Sequence, residues 1–203
     1  MKQYRVEEFE AKISVQEYRE HCLDIPRIRG YCQACENYGK RWSCPPFSEP
    51  SECIWDRYET IWIFGRKLLL SQELQDEEIS MDEMTARSKA LLHPEKERLL
   101  GELLELERQF PGSLALSAGS CEGCPPKQCA RAEGKPCLHP ERLRCSLESL
   151  GGDVVQTASR YLNQEILWGK AGHFPPSYLL VGALLLPKNA LECCLLVVFP
   201  GKG

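Results

Sequence analysis

Tyr4–Val15 alternates loosely between apolar and polar positions and predicts a strand running into a helix near Val15–Cys22. Thr60–Leu70 (TIWIFGRKLLL) is β-branched and aromatic with apolar positions on both faces, which predicts a central strand. From Gln72 to Phe110 the period becomes helical. Leu99, Leu103, Leu106 and Phe110 fall on one apolar stripe, Pro94 either kinks the helix or starts a second one, and Pro111-Gly112 ends it. Leu114–Ser117 reads as a short strand and Pro140–Leu150 as a short helix closed by Gly151-Gly152. Asp153 then caps a helix over Val154–Leu162. The apolar runs Tyr178–Leu186 and Leu191–Phe199 flank the turn signal Pro187–Ala190 and predict a buried hairpin.

Strands and helices are mixed rather than alternating. The expected fold is α+β, one domain over 1–203, with a mixed or antiparallel sheet of about five strands and packed helices. Two cysteine-rich segments, 22–53 and 121–145, interrupt the periodic pattern, and Ile25–Phe47 in particular reads as irregular.

Composition narrows the function classes. The chain has 203 residues, 43% hydrophobic and 27% charged, with a formal net charge of −4. An ordinary apolar fraction argues against disorder, and a mildly acidic balance argues against nucleic acid as a partner. No apolar run is long enough to span a bilayer. The N-terminal stretch carries Glu7, Glu8 and Glu10 and no apolar signal core, so a cytoplasmic protein is expected. The unusual number is 12 cysteines. In a reducing compartment they point to metal ligation rather than to disulfides.

The first cluster, YCQACENYGKRWSCPPF, spaces Cys32, Cys35 and Cys44 as C-x2-C-x8-C. The C-x2-C pair lets two thiolates converge on one centre, Tyr38-Gly39 supplies a turn that returns the third, and Pro45-Pro46 stiffens the exit. The second cluster places Cys121, Cys124, Cys129 and Cys137 as C-x2-C-x4-C-x7-C, four thiolates that can close a complete site. Both carry Cys-Pro-Pro. Thiolates without histidine suit iron–sulfur clusters or zinc. The usual paired C-x2-C zinc spacing is missing within either segment, so one or two [4Fe-4S] clusters are the expected cofactors, with zinc as the alternative. The first set lacks a fourth ligand. Cys22 and Cys53 are the local choices, and with neither, one iron stays open to substrate or water.

The phrases YCQACENYGKRWSCPPF, CEGCPPKQCARAEGKPCLHPERLRCSLESLGGDV and WGKAGHFPPSYLLVGALLL resemble a family of predicted metal-binding, cysteine-rich proteins common in anaerobic microbes, over roughly Ile25 to Leu186. The resemblance implies cysteine-bound metal, iron–sulfur in kind, with no settled activity. Its cysteines fall on Cys32, Cys35, Cys44, Cys121, Cys124, Cys129 and Cys137. Cys22, Cys53, Cys145, Cys193 and Cys194 lie outside its pattern.

Other residues take ordinary readings. His139 precedes a helix start, Cys193-Cys194 are buried thiols of a strand, and Trp42 and Tyr38 either shield the first cluster or fill the core. The basic residues of Cys121–Cys145 either offset cluster charge, dock an acidic electron carrier or are simply solvated. Three functions follow: a redox protein passing electrons to a protein partner, an enzyme using an open iron at the first site, and a zinc-stabilised interaction module.

Overall fold

The computed structural model describes residues 3–125, 128–170 and 172–188. Its frame is a four-stranded sheet of β1 (Tyr4–Ser14), β2 (Thr60–Leu70), β3 (Leu114–Leu116) and β4 (Ser177–Leu186), in the order β1-β2-β4-β3. Every pairing is antiparallel; Tyr4 lies opposite Leu70, Thr60 opposite Leu186 and Leu114 opposite Leu185. The α+β class is therefore correct and the sheet is antiparallel. The expected strand at Leu191–Phe199, with Cys193 and Cys194, lies outside the described residues.

Among the described residues six helices accompany the sheet: α1 (Val15–Cys22), α2 (Ile25–Ala34), α3 (Ser51–Trp55), α4 (Gln72–Gln75), α5 (Met81–Gln109) and α6 (Val154–Tyr161). Among the described residues no helix is long and apolar enough to cross a membrane. Because side chains alternate along a strand, β2 feeds two cores. Ile61 and Ile63 join Tyr18, Trp55, Leu147, Leu150 and Ala158 on one face; Leu68 joins Leu99, Leu103, Ala115 and Leu184 on the other. Each fully buried leucine contributes roughly 1.5–3 kcal/mol. On the second face Arg66 is 2% exposed and is held by Glu8 at 2.7 Å and Glu102 at 2.8 Å, so its charge is paired inside the fold.

Local chemistry explains where the pattern misleads. The stretch expected to be irregular begins with α2, because Asp24 accepts the Arg27 N–H at 3.1 Å as a cap, Pro26 occupies the first turn, and Ile25 and Ile28 are buried. The predicted helix over Gln72–Phe110 is broken between Gln75 and Met81, where Ser80 caps the long α5 at Glu83 N. Pro94 does not restart α5, which runs through it: Pro94 sits on the exposed side, while Leu91, Glu95, Leu99 and Leu103 form the buried stripe that carries the helix past it.

The helix expected over Pro140–Leu150 does not form. Only the 3-10 turn Glu148–Leu150 is present. The Cys145 carbonyl is taken by Ser117 N at 2.8 Å, and Ser146 and Ser149 bond each other's backbone at 3.0 and 3.3 Å. Serines that satisfy local backbone groups in this way compete with helix.

Candidate metal centre

The first thiol set stands at the end of α2. Cys32 lies in its last turn, and Cys35 caps it with extended backbone and an N–H bond to Cys32 O at 3.0 Å. The chain then doubles back. Tyr38 N bonds Cys35 O, and Gly39, in the left-handed region at φ 69°, bonds Pro45 O at 2.8 Å. That closure returns Cys44 to the helix end, using the Tyr38-Gly39 turn expected from the sequence. Burial pushes the Cys32 thiol up, and Glu148, Cys44 and Cys35 add to it as like charges. Burial likewise raises Cys44, with Cys35 as a like-charged neighbour. The three predicted thiols of this set are thus neighbours.

The second set is built on loops. Cys121 Sγ accepts Gly123 N–H at 3.4 Å, and Cys137 Sγ accepts His139 N–H at 3.4 Å. Such bonds to sulfur stabilise thiolate charge and tune a cluster's potential. A 3-10 turn, Ala130–Glu133, follows Cys129 and ends at Gly134 in the left-handed region. The Cys124 thiol is raised by burial and then by Cys129, Cys121 and Cys137, which lie near enough to act on it as like charges. Among the described residues of this segment up to Leu143, only Ala130 is buried.

Two arginines tie the sets together: Arg41, which the sequence did not single out, and Arg131, one of the basic residues of Cys121–Cys145. Arg41 donates to the Cys121 carbonyl and to Asn37 Oδ1 at 2.7 Å. Arg131, from the second segment, donates to the carbonyls of Arg41, Cys44 and Pro46 and lies 5.2 Å over the Trp42 ring. Ser43, 1% exposed, accepts Cys121 N–H at 2.9 Å, and Trp42 Nε1 donates to Lys135 O at 3.0 Å. Trp42 is a bridge to the second segment rather than a core residue. Of the other basic residues described in this segment, Lys135 pairs with Glu133 at 2.6 Å and Arg142 with Glu97 on the surface, and Arg144 pairs with Glu107 at 3.0 Å.

The local choices for a fourth ligand of the first set stand elsewhere. Cys22 is 2% exposed, in the core with Tyr18 and Ala158; Cys53 is exposed on α3. Cys145 is closer to the set: burial pushes its thiol up to about 11, and Cys44 acts on it as a like charge. His139 is half exposed and faces Glu141 at 3.8 Å. The edge of the first set, at Cys32 and Cys35, borders a cavity of about 970 Å³ lined also by Tyr31, Glu148, Asp153 and Trp168.

Glu148 yields a pH prediction. Its Oε2 is buried without a hydrogen-bond partner, and burial raises its carboxyl above the ordinary range. The folded state then holds the proton more tightly than the unfolded one. Its stabilising contribution is present below the unfolded pKa and is lost as pH rises through the folded one, by about 1.4 kcal/mol per unit between them. Glu148→Gln is expected to abolish that loss. In thermal melts from pH 4 upward the variant should gain on the wild type with rising pH; a constant difference would contradict the assignment.

All ten cysteines among the described residues are free thiols, and no three Cys, His, Asp or Glu side chains there stand at metal-ligating geometry. The donor chemistry nevertheless fits a soft metal. Each set is sulfur only; burial and neighbouring thiols raise Cys32, Cys44 and Cys124, and a bound cation relieves both penalties. No curated protein and no solved structure matches the chain. Residues 20–186, which include both thiol sets and the arginines joining them, match the model of the predicted metal-binding proteins designated DUF2284, and the chain belongs to that family.

Proposed function

We propose that this chain is a cytoplasmic redox protein that holds one [4Fe-4S] cluster on Cys32, Cys35 and Cys44, and a second on Cys121, Cys124, Cys129 and Cys137, and passes electrons to a protein partner. The observation that carries this reading is the joining of two all-thiol sets by Arg41 and Arg131, whose hydrogen bonds reach Cys121 and Cys44. Two guanidinium groups beside two thiolate sets offset the negative charge that clusters bring. Bound clusters would supply one-electron chemistry; the chain's residues bind them, shield them and fix their separation. The exposed Cys35 edge, beside Tyr31 and Trp168, is where a partner would reach the first cluster.

The test is metal and acid-labile sulfide analysis of anaerobically purified protein. Brown protein with iron and sulfide in equal amounts, filling both sites, is expected. Colourless protein with zinc and no sulfide would overturn the redox reading in favour of a zinc-stabilised module. The enzyme reading has one observation behind it, the cavity that meets Cys32 and Cys35. It requires an open iron, which a fourth protein ligand would remove.

A further inference from the structure

We infer that Cys145 is the fourth thiolate of the first set, so that Cys32, Cys35, Cys44 and Cys145 form a closed site. The inference rests on the metal-binding reading above.

Cysteine counting is the first support. The first segment supplies three clustered thiols and Cys121–Cys145 supplies five, one short and one over for two four-thiolate sites. Moving Cys145 across gives four and four.

Backbone geometry is the second. Cys145 is anchored at the end of β3 through Ser117 N, and the next residue bridges Ser117 as well. The chain then enters the turn locked by Ser146 and Ser149. Cys32 Sγ lies 3.8 Å from the Glu148 carbonyl, in that same turn, three residues past Cys145. The start of α2 is fixed to its far end, with Asp24 N on Gly151 O at 3.0 Å. The helix bearing Cys32 and Cys35 therefore packs directly on the turn that Cys145 opens. Arg131 completes the arrangement: it holds the Cys44 carbonyl, and both Arg131 and Cys44 are charged neighbours of the Cys145 side chain.

The competing thiols lack this placement. Cys22 is enclosed in the core, where no thiol of the first set is among the groups that act on it, and Cys53 is exposed on α3.

The test compares wild type, Cys145→Ser, Cys145→Ala and Cys53→Ser as full chains, reconstituted anaerobically with ferrous iron and sulfide. Iron, sulfide and the EPR spectrum of the reduced protein are read with and without cyanide. Wild type and Cys53→Ser should carry the same iron and show no response to cyanide. Both Cys145 variants should lose about half of the iron and sulfide, or keep a cluster whose spectrum now responds to cyanide. The second outcome is one that misfolding would not produce. Unchanged iron and an unchanged, cyanide-insensitive spectrum in both Cys145 variants would overturn the inference. A cyanide response in the wild type, or cluster loss in Cys53→Ser, would also overturn it. If the wild type binds zinc and no sulfide, the iron–sulfur reading fails on its own; Cys145→Ser should then lose one of two zinc ions, and full zinc retention would overturn the ligand assignment.

Discussion

Cys124→Ser and Cys129→Ser are each expected to lose the metal of the second set together with the order of the segment around it, while the sheet stays folded. In the described part of 121–143 only Ala130 is buried, and Leu138 is 66% exposed. So little apolar burial cannot offset the backbone entropy of ordering more than twenty residues, at roughly 1–2 kcal/mol each. Bound metal can supply on the order of 10 kcal/mol in small metal-folded peptides. The two cores around β2 share no residue with this loop apart from the partly buried Cys145 at its end, and they should persist. Metal content should fall by one site, hydrogen exchange and proteolysis should become fast within 121–143, and far-UV circular dichroism should change little. Full metal content with unchanged protection in both variants would show that the loop is held by its polar contacts alone.

Gly151→Ala should cost about 2–5 kcal/mol, from a left-handed residue acquiring a Cβ and from overpacking against a neighbour. Gly151 sits at φ 92°, and a Cβ there would lie 2.8 Å from Ile25 Cα, a backbone atom that cannot swing aside. Ile25 is the first residue of α2, so the clash would push that helix off the turn on which it rests. The variant should melt lower and lose metal from the first set before the second, which hangs on different loops. Gly30 is the control. It lies inside α2 with nothing within 4 Å of the point where a Cβ would stand, so Gly30→Ala should be neutral or stabilise by about 0.5–1 kcal/mol. Equal melting temperatures for Gly151→Ala and the wild type would remove α2 seating as the device that positions Cys32 and Cys35.

Both predictions draw on placements that the linear pattern shows unevenly. Strands β1, β2 and β4 and the helix before Cys22 were legible, because period-two alternation and continuous β-branched runs have few other solutions in a chain of this size. Helix α2 was hidden by its own cysteines, although Asp24-Ile-Pro is a start signal of the ordinary kind. The helix expected from Pro140 was lost to serine–backbone bonds around Cys145, which no periodicity reports. Arg41 and Arg131 carry no sequence signal beyond their charge, because their partners are carbonyls 80 to 90 residues away in the chain. Cys145 is set aside at the level of sequence because it lies outside the pattern of the resemblance, although it is a fifth thiol in a segment whose proposed site uses four.

The sequence by itself determined the α+β class, a central strand apolar on both faces, and two segments in which cysteines recur at short spacing. Each of these follows from local spacing: alternation sets which face a side chain takes, and C-x2-C brings two thiols together within a few residues. Only the tertiary structure decided that the two segments are neighbours, that Arg41 and Arg131 stand at their junction, and that the turn opened by Cys145 packs on the helix bearing Cys32 and Cys35. Those are contacts between segments about a hundred residues apart, and they arise because β2, β4 and β3 share one antiparallel sheet, and the bridge from the end of β3 to Ser146 leads the chain into the 145–153 turn that packs against α2. Spacing along a chain constrains neighbours within a loop; it takes the closed sheet to choose which loops meet.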